Sequence, residues 1–273
     1  MKRIAIALGA AALLALGLPA AAQASPQPIP GSAVAAAAGP NVYTPEQVGY
    51  GLTGNTFMTV TQTVILPDAS KFAAYLTGFG ESVQLISSKF WAILGVSDST
   101  TTSPWSPAFA IFSMATKTLI CGTGAPPCGT FTDSPVPMTA GDHVTQVMSY
   151  NASTGFLTFT VTDTSNGGVA SGSYKVGSTS FTQVRSGTEF GADPFHQPPS
   201  HTAPPSQVAI TKFSLVKATS TSGHTGPFGG DSHWVRRKLI WTRNGLPTGA
   251  VNALPSSPHT LNGGSAYNNY LEP

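Results

Sequence analysis

The chain has 273 residues, of which 9% are charged, and its formal net charge is +2. That charged fraction is far below the roughly 25% of an average soluble protein, and the run Arg236–Lys238 is too short to form the basic patch that nucleic acid requires. A chain of this length forms one large β domain or two small domains, and the many Thr, Ser, Gly and Pro residues favour short strands joined by turns.

The N-terminal residues have the three parts of an export signal. Lys2 and Arg3 precede an apolar run, and the small residues "AQA" end at Ala24. We therefore predict a signal peptide over 1–24 and a secreted or periplasmic protein without a membrane anchor after processing. The Pro- and Ala-rich residues 25–47 are interpreted as a disordered linker or short prosegment, and residues 48–273 as the folded domain.

Strand patterns dominate the remaining chain. Alternating or continuous apolar runs bounded by Gly, Pro and Asn predict strands, and the short residue runs 172–176 and 178–185 are predicted to pair with each other as a hairpin. The other predicted strands are Thr56–Leu66, Lys89–Val96, Ala108–Ala115, His143–Asn151, Gly155–Thr164, Gln207–Thr219 and Arg237–Asn244. Strands at short, even intervals without a helical period indicate an all-β sandwich or barrel.

The two cysteines, Cys121 and Cys128, are separated by six residues rich in Gly and Pro. In an oxidising compartment this spacing predicts a disulfide that closes a loop. Zinc is the weaker alternative, because two thiols without nearby histidines make a poor tetrahedral site.

Several short motifs, in order from Gln47 to Tyr270, resemble the glutamic endopeptidases of the eqolisin family. They include "VGYGLTGNTFMTVTQTVILPD", "FWAILGV", "TAGDHVTQVMSYNASTGFLTFTVTDTSNG", "RSGTEFGADPF" and "VAITKFSLVKATSTSG". The resemblance implies a two-sheet, antiparallel, concanavalin-A-like β-sandwich. It also implies hydrolysis of peptide bonds at acidic pH without a cofactor.

Glu189 lies in "RSGTEFGADPF" and matches the family's catalytic glutamate. The resemblance implies that this residue is the general base that activates a water and then the acid that protonates the leaving amine. Partial shielding in a groove suits that task, because it raises the pKa of a carboxyl group towards the working pH. The alternative is a carboxylate at the edge of a strand.

The family's second catalytic residue is a glutamine that donates a hydrogen bond to the tetrahedral oxyanion. Its strand corresponds here to "FAIFSMA", in which Ser113 stands near the glutamine position. We therefore interpret Ser113 as a shorter substitute donor. Gln84 precedes Trp91 and is assigned to the wrong side of that strand.

The expected substrate groove is lined by Trp91, Phe131, Asp133 and His196. No metal site is predicted. Asp98, Asp142 and Asp163 lie in turn sequences and are interpreted as turn caps. Most strand aromatics, namely Phe57, Phe156 and Phe159, are interpreted as core, whereas Trp105 and Trp234 are expected to be exposed in loops.

These observations support three hypotheses of function. The first is an acid-active endopeptidase whose partner is a polypeptide substrate. The alternative is a non-catalytic sandwich that binds peptide or carbohydrate in the same groove. The third is an exported structural protein whose groove is vestigial. The protein is expected to act as a monomer.

Overall fold

A computed structural model describes residues 38–44, 47–68, 80–97, 105–123, 136–189, 211–242, 247, 251–255 and 266–271. All of them belong to the second of two compact units, Ala33–Pro273. The strands are β1 Val42–Thr44, β2 Gln47–Thr53, β3 Phe57–Ile65, β4 Glu81–Ser87, β5 Phe90–Ser97, β6 Ser106–Ser113, β7 Leu119–Gly122, β8 His143–Asn151, β9 Phe156–Asp163, β10 Val169–Lys175, β11 Phe181–Glu189, β12 Thr211–Ser220, β13 Thr225–Pro227, β14 Val235–Thr242, β15 Val251–Pro255 and β16 Tyr267–Leu271.

Fourteen of the strands named above hydrogen-bond in one continuous path that curls so that two halves face each other, and β13 pairs with β12 beside that path. Their order is β10-β9-β8-β3-β12-β16-β15-β14-β2-β11-β4-β5-β6-β7. Neighbours along this path are antiparallel, and β1 pairs with β14 in the parallel sense. The predicted all-β sandwich is confirmed. Among the described residues no helix is long and apolar enough to cross a membrane.

Aromatic side chains join the two halves in the core. Phe109 of β6 stacks on Phe159 of β9 with ring centroids 4.9 Å apart, and Tyr150 of β8 meets the edge of Phe181 on β11 at 5.1 Å. On β9, the face with Leu157, Phe159 and Val161 is buried, as the alternation of the sequence predicts. Burial of such apolar area supplies most of the driving force for folding.

Three strands at the centre of one half fix the site. In β11, Glu189 is the Cα partner of Gln47 on β2, and Thr188 is the partner of Glu81 on β4. Because successive side chains on a strand point to opposite faces, Glu189 and Glu81 lie on opposite faces of the same part of the sheet. The Glu81 face looks into the core between the halves.

Two predictions of local organisation are wrong. The residue runs 172–176 and 178–185 do not pair with each other, because β10 pairs with β9 whereas β11 pairs with β2 and β4. The first strand also begins earlier than expected, since Val42–Thr44 form strand β1 within the predicted linker. Thr44 stabilises this entry by accepting a hydrogen bond from the Gln47 amide at 2.8 Å.

Both tryptophans expected in exposed loops are buried at 2% exposure. Each indole N–H donates to a proline carbonyl at 3.0 Å, Trp105 to Pro67 and Trp234 to Pro227. A loop position does not exclude a large aromatic ring from the core when its one polar atom finds an acceptor. Phe156, which is predicted to lie in the core, is instead 39% exposed.

The turn roles predicted for two aspartates are confirmed. Asp142 accepts a hydrogen bond from the Thr139 amide at 2.7 Å, and Asp163 accepts one from the Ser165 amide at 2.8 Å. Asp98 lies outside the described residues.

Candidate functional site: a buried glutamate and glutamine pair

Glu189 ends β11 on the face of the sheet opposite the main core, and only 1% of it is exposed. The Gln84 side chain donates a hydrogen bond from Nε2 to Glu189 Oε2 at 2.9 Å. Ser82 adds a longer contact from its hydroxyl to the same oxygen at 3.4 Å. Both donors come from β4, because alternate residues of that strand share the face of Glu189.

The orientation of the Gln84 amide is set by Trp91 on β5. The indole nitrogen of Trp91 donates to Gln84 Oε1 at 3.1 Å. Since an indole N–H can only donate, the oxygen of the amide must face Trp91 and its nitrogen must face Glu189. The amide nitrogen carries two protons, so one can bind the carboxylate while the other is directed elsewhere.

A second amide lies beside the carboxyl group. Gln47 is the Cα partner of Glu189, and its Oε1 accepts a hydrogen bond from Arg185 Nη1 at 2.9 Å. The Arg185 guanidinium also lies 5.1 Å from the centre of the Trp91 ring, within the range of a cation–π contact. Among the described residues, the buried Nε2 of Gln47 has no hydrogen-bond partner, so the residue opposite Glu189 on β2 carries an unused amide donor.

Glu81 occupies a different environment on the core side of the same sheet. Thr188 Oγ1 donates to Glu81 Oε2 at 2.7 Å, and Thr211 Oγ1 donates to Oε1 at 3.0 Å. Complete burial raises the pKa of Glu81 to about 8, although the two hydroxyl hydrogen bonds act in the opposite direction. Glu81 is therefore a neutral carboxylic acid at acidic pH.

Buried amides continue this polar region between the halves. Gln146 donates to the Glu81 carbonyl at 2.9 Å, and Gln62 donates to Gln146 Oε1 at 2.9 Å. Ser186 in turn donates to Gln62 Oε1 at 2.6 Å. The network satisfies buried polar groups that would otherwise destabilise the fold.

The register does not bring Ser113 to Glu189. Ser113 is the Cα partner of Phe90, whereas Glu189 follows the residue that pairs with Glu81. Phe90 lies just after the end of β4, whereas Glu81 is its first residue. Ser113 and Glu189 are therefore separated along the strand direction by about the length of β4, roughly 20 Å. The Ser113 hydroxyl instead accepts a hydrogen bond from the Thr116 amide at 3.1 Å, as a turn cap does.

The amide beside Glu189 therefore comes from Gln84, and the assignment of Gln84 to the wrong side of the Trp91 strand is wrong. The sequence pattern does not predict β4 as a strand, and the position of Gln84 depends on that strand. The pattern "ESVQLIS" has polar residues at positions 81, 82, 84 and 87 and is buried throughout, so it shows neither a regular alternation nor a continuous apolar run. Its polar members, Ser82 and Gln84, were the available signal.

Of the predicted groove residues, Trp91 lies at the site, because its indole nitrogen donates a hydrogen bond to Gln84. Three other groove residues, Phe131, Asp133 and His196, lie outside the described residues, and so does Cys128. Cys121 is buried on β7, and its pairing with Cys128 stays a prediction.

A separate group of possible metal ligands lies beside β13. His224, Asp231 and His233 bring their ligand atoms within 4.8 Å of one another. Burial would raise the pKa of Asp231, but hydrogen bonds from the His233 amide and from both imidazoles lower it below its usual value overall. The carboxylate is therefore charged near neutral pH.

Chemically, the Glu189 site combines an acid–base group with directed amide donors. A carboxylate can take a proton from water, and amide N–H groups can bind the oxygen on which negative charge develops. Both Glu189 and Gln84 are buried in the free protein.

No family model and no curated protein matches the chain. Among solved structures, the tail fiber protein gp63.1 from an E. coli phage is similar over 54% of this chain at 12% sequence identity, with a TM-score of 0.25. The match spans 16% of the length of the tail fiber chain. A likeness at that TM-score carries no argument about fold or function.

Proposed function

We propose that this protein is a secreted, acid-active endopeptidase in which Glu189 is the general base and Gln84 the oxyanion donor. The hydrogen bond between Gln84 Nε2 and Glu189 Oε2, at 2.9 Å, is the observation that carries the proposal. A paired glutamate and glutamine is the arrangement that the resemblance to the glutamic endopeptidases implies. The substrate is a polypeptide.

In the first half of the reaction Glu189 takes a proton from a water that attacks the scissile carbonyl carbon. The carbonyl oxygen becomes an oxyanion, and the second N–H of Gln84 binds it. Glu189 then gives its proton to the leaving amine as the C–N bond breaks. The carboxylate is thereby restored, and no metal or covalent intermediate is required.

Trp91 and Arg185 hold the donors in position during these steps. Trp91 fixes the direction of the Gln84 amide, and Arg185 fixes Gln47 through its carbonyl oxygen. The unused Nε2 of Gln47 supports a role as a further donor to the substrate. Donors that are fixed before the reaction need little reorganisation in the transition state.

The test is cleavage of a denatured protein at acidic pH by the purified protein and by Glu189→Gln. The variant should be inactive, because an amide cannot accept the proton of the water, and it should fold because the replacement is nearly isosteric. Pepstatin should not inhibit, since the mechanism contains no aspartate dyad. Full activity in Glu189→Gln would remove the mechanism.

The burial of the pair favours one second candidate. With Glu189 1% exposed and Gln84 0% exposed, the pair can instead be a structural hydrogen bond beneath a groove that binds peptide or carbohydrate. A wild-type protein that cleaves nothing in acid, yet binds a peptide or oligosaccharide in calorimetry, would support this candidate over the peptidase.

A further inference from the structure

The segment around β13 carries two histidines and an aspartate that converge on one point. Asp231 Oδ2 lies 2.8 Å from His224 Nε2, and Asp231 Oδ1 lies 2.9 Å from His233 Nδ1. The two imidazole rings stack with centroids 3.5 Å apart. A single carboxylate thus holds two imidazole nitrogens on the same side of the loop.

The backbone is built to allow this convergence. A side chain at Gly226 would collide with the Asp231 carboxylate and would also crowd His224 Nε2 at 3.2 Å. Asp231 is anchored further by the His233 amide, which donates to its Oδ1 at 2.9 Å. The side chain of Asp231 is only 8% exposed, so the carboxylate is fixed before any ligand arrives.

The following residue anchors the loop to the core. Trp234 is buried, packs against Phe57 with ring centroids 6.0 Å apart, and donates from its indole nitrogen to the Pro227 carbonyl. On the other side, the Ser220 amide donates a hydrogen bond to the backbone carbonyl of His224 at 2.9 Å. Both histidines are therefore attached to rigid parts of the sandwich.

The donor set matches the preference of divalent transition metals. Imidazole nitrogens suit zinc, copper, iron and nickel, whereas magnesium and calcium prefer oxygen ligands. Two donors of one tetrahedral zinc ion lie roughly 3–3.5 Å apart, given metal–ligand distances of about 2.0–2.2 Å. The two spacings from Asp231 to the imidazole nitrogens, 2.8 and 2.9 Å, need to widen by a few tenths of an ångström once each imidazole carries its proton on the other ring nitrogen. The three ligand atoms lie within 4.8 Å of one another, so any wider spacing closes to the donor separation by a small rotation of the exposed His233 side chain.

We propose that His224, Asp231 and His233 bind one divalent transition-metal ion. Half of the His233 side chain is exposed, at 54%, and His224 is exposed at 30%. The remaining coordination positions therefore face solvent, as they do in metal sites that keep a water ligand. The ion links the β12–β13 hairpin to the segment that enters β14.

The site is separate from the Glu189 pair. Ser220, at the end of β12, pairs with Phe57, and Phe57 pairs with Phe181 at the start of β11. Glu189 ends the same strand, eight residues and about 25 Å away. The metal proposal therefore stands or fails independently of the proposed peptidase activity.

The experiment is calorimetric titration of the purified chain, without a polyhistidine tag, with Zn²⁺ alone. We expect one Zn²⁺ per chain at this site and a loss of affinity of more than about tenfold in His224→Gln, His233→Gln and Asp231→Asn. His143→Gln is the matched control, because His143 is an exposed histidine at the start of β8 and should bind as wild type. Mg²⁺ should not compete.

Co²⁺ gives a second readout, because its visible absorption reports coordination by the protein. The spectrum should appear in wild type and His143→Gln and disappear in the three ligand variants, each of which should keep its circular dichroism spectrum. The proposal is overturned if wild type binds no Zn²⁺, or if the ligand variants bind it as tightly as wild type. In that event the cluster is a hydrogen-bonded clamp of the loop.

Discussion

Two glutamates near one end of the sheet differ because their side chains leave it on opposite faces. Glu189 accepts a hydrogen bond from the Gln84 amide, which in turn accepts one from Trp91. Glu81 meets two threonine hydroxyls between the halves of the sandwich. A neutral, fully buried environment favours the protonated carboxyl, so Glu81 holds its proton up to a pKa of about 8.

This difference makes the stability of the fold depend on pH. In the unfolded chain Glu81 loses its proton near pH 4.5, whereas in the folded chain it keeps it to about pH 8. Between these values the folded state binds the extra proton, so the free energy of unfolding falls as the pH rises. We expect a loss on the order of 1 kcal/mol for each pH unit in this window.

Urea unfolding at a series of pH values from 4.5 to 8.5 measures this dependence. Glu81→Gln keeps a polar partner for Thr188 and Thr211 but cannot titrate, so its stability should change less over the same range. Glu189→Gln serves as the comparison on the other face. A wild-type protein that becomes more stable between pH 5 and 8 would contradict the assignment to Glu81.

At the scale of elements, the position of Glu189 depends on the close approach of β2 and β11. Gly49 and Gly187 are Cα partners, and a side chain on either would collide with the backbone of the other strand. Only glycine at both positions lets the two backbones meet at this separation. Glu189 follows Gly187 by two residues and shares its face.

We expect Gly187→Ala to destabilise the protein by about 1–3 kcal/mol, because the added methyl group forces the strands apart. It should also reduce any activity that needs Glu189 in register. Gly51→Ala is the matched control on β2, since a methyl group there would meet its neighbours at ordinary distances of 3.5 Å or more. Equal denaturation midpoints for the two variants would show that the approach is not critical.

The short strand β7 carries the prediction about the cysteines. Cys121 is buried there, and we expect it to pair with Cys128 and to stabilise the protein by about 2–3 kcal/mol through closure of the loop. Mass spectrometry of exported protein, alkylated without reduction, checks the bond. Two alkylated thiols would contradict it.

At the scale of the whole molecule, strands with a clear pattern could be predicted from the sequence. Strand β8 begins and ends where its alternation predicts, and β5 is buried on both faces over Ala92–Val96. Periodicity records which residues face the core. It does not record which strands are neighbours, so the pairing of β11 with β2 and β4 was not predictable from local pattern.

Because the sequence does not show which strands are neighbours, only part of the candidate site could be predicted from it. Glu189 could be found because its surrounding motif is short and contiguous, whereas its partner Gln84 lies 105 residues earlier in the chain. The motif in β6 predicts Ser113 at the site, but Ser113 pairs with Phe90, near the end of β4 that lies away from Glu189. A contact between strands that are distant in sequence depends on register, and register emerges only from the folded sandwich.

The central claim is that Gln84 and Glu189 act as a pair, and the most direct measurement is kcat at acidic pH for Gln84→Met and Ser113→Gln. Gln84→Met keeps a similar volume but removes the amide, so kcat should fall by about 10²–10³-fold, with thermal melting confirming that the variant folds. Ser113→Gln should leave kcat unchanged. Full activity in Gln84→Met, a rise in kcat in Ser113→Gln, or an inactive wild type would contradict the account.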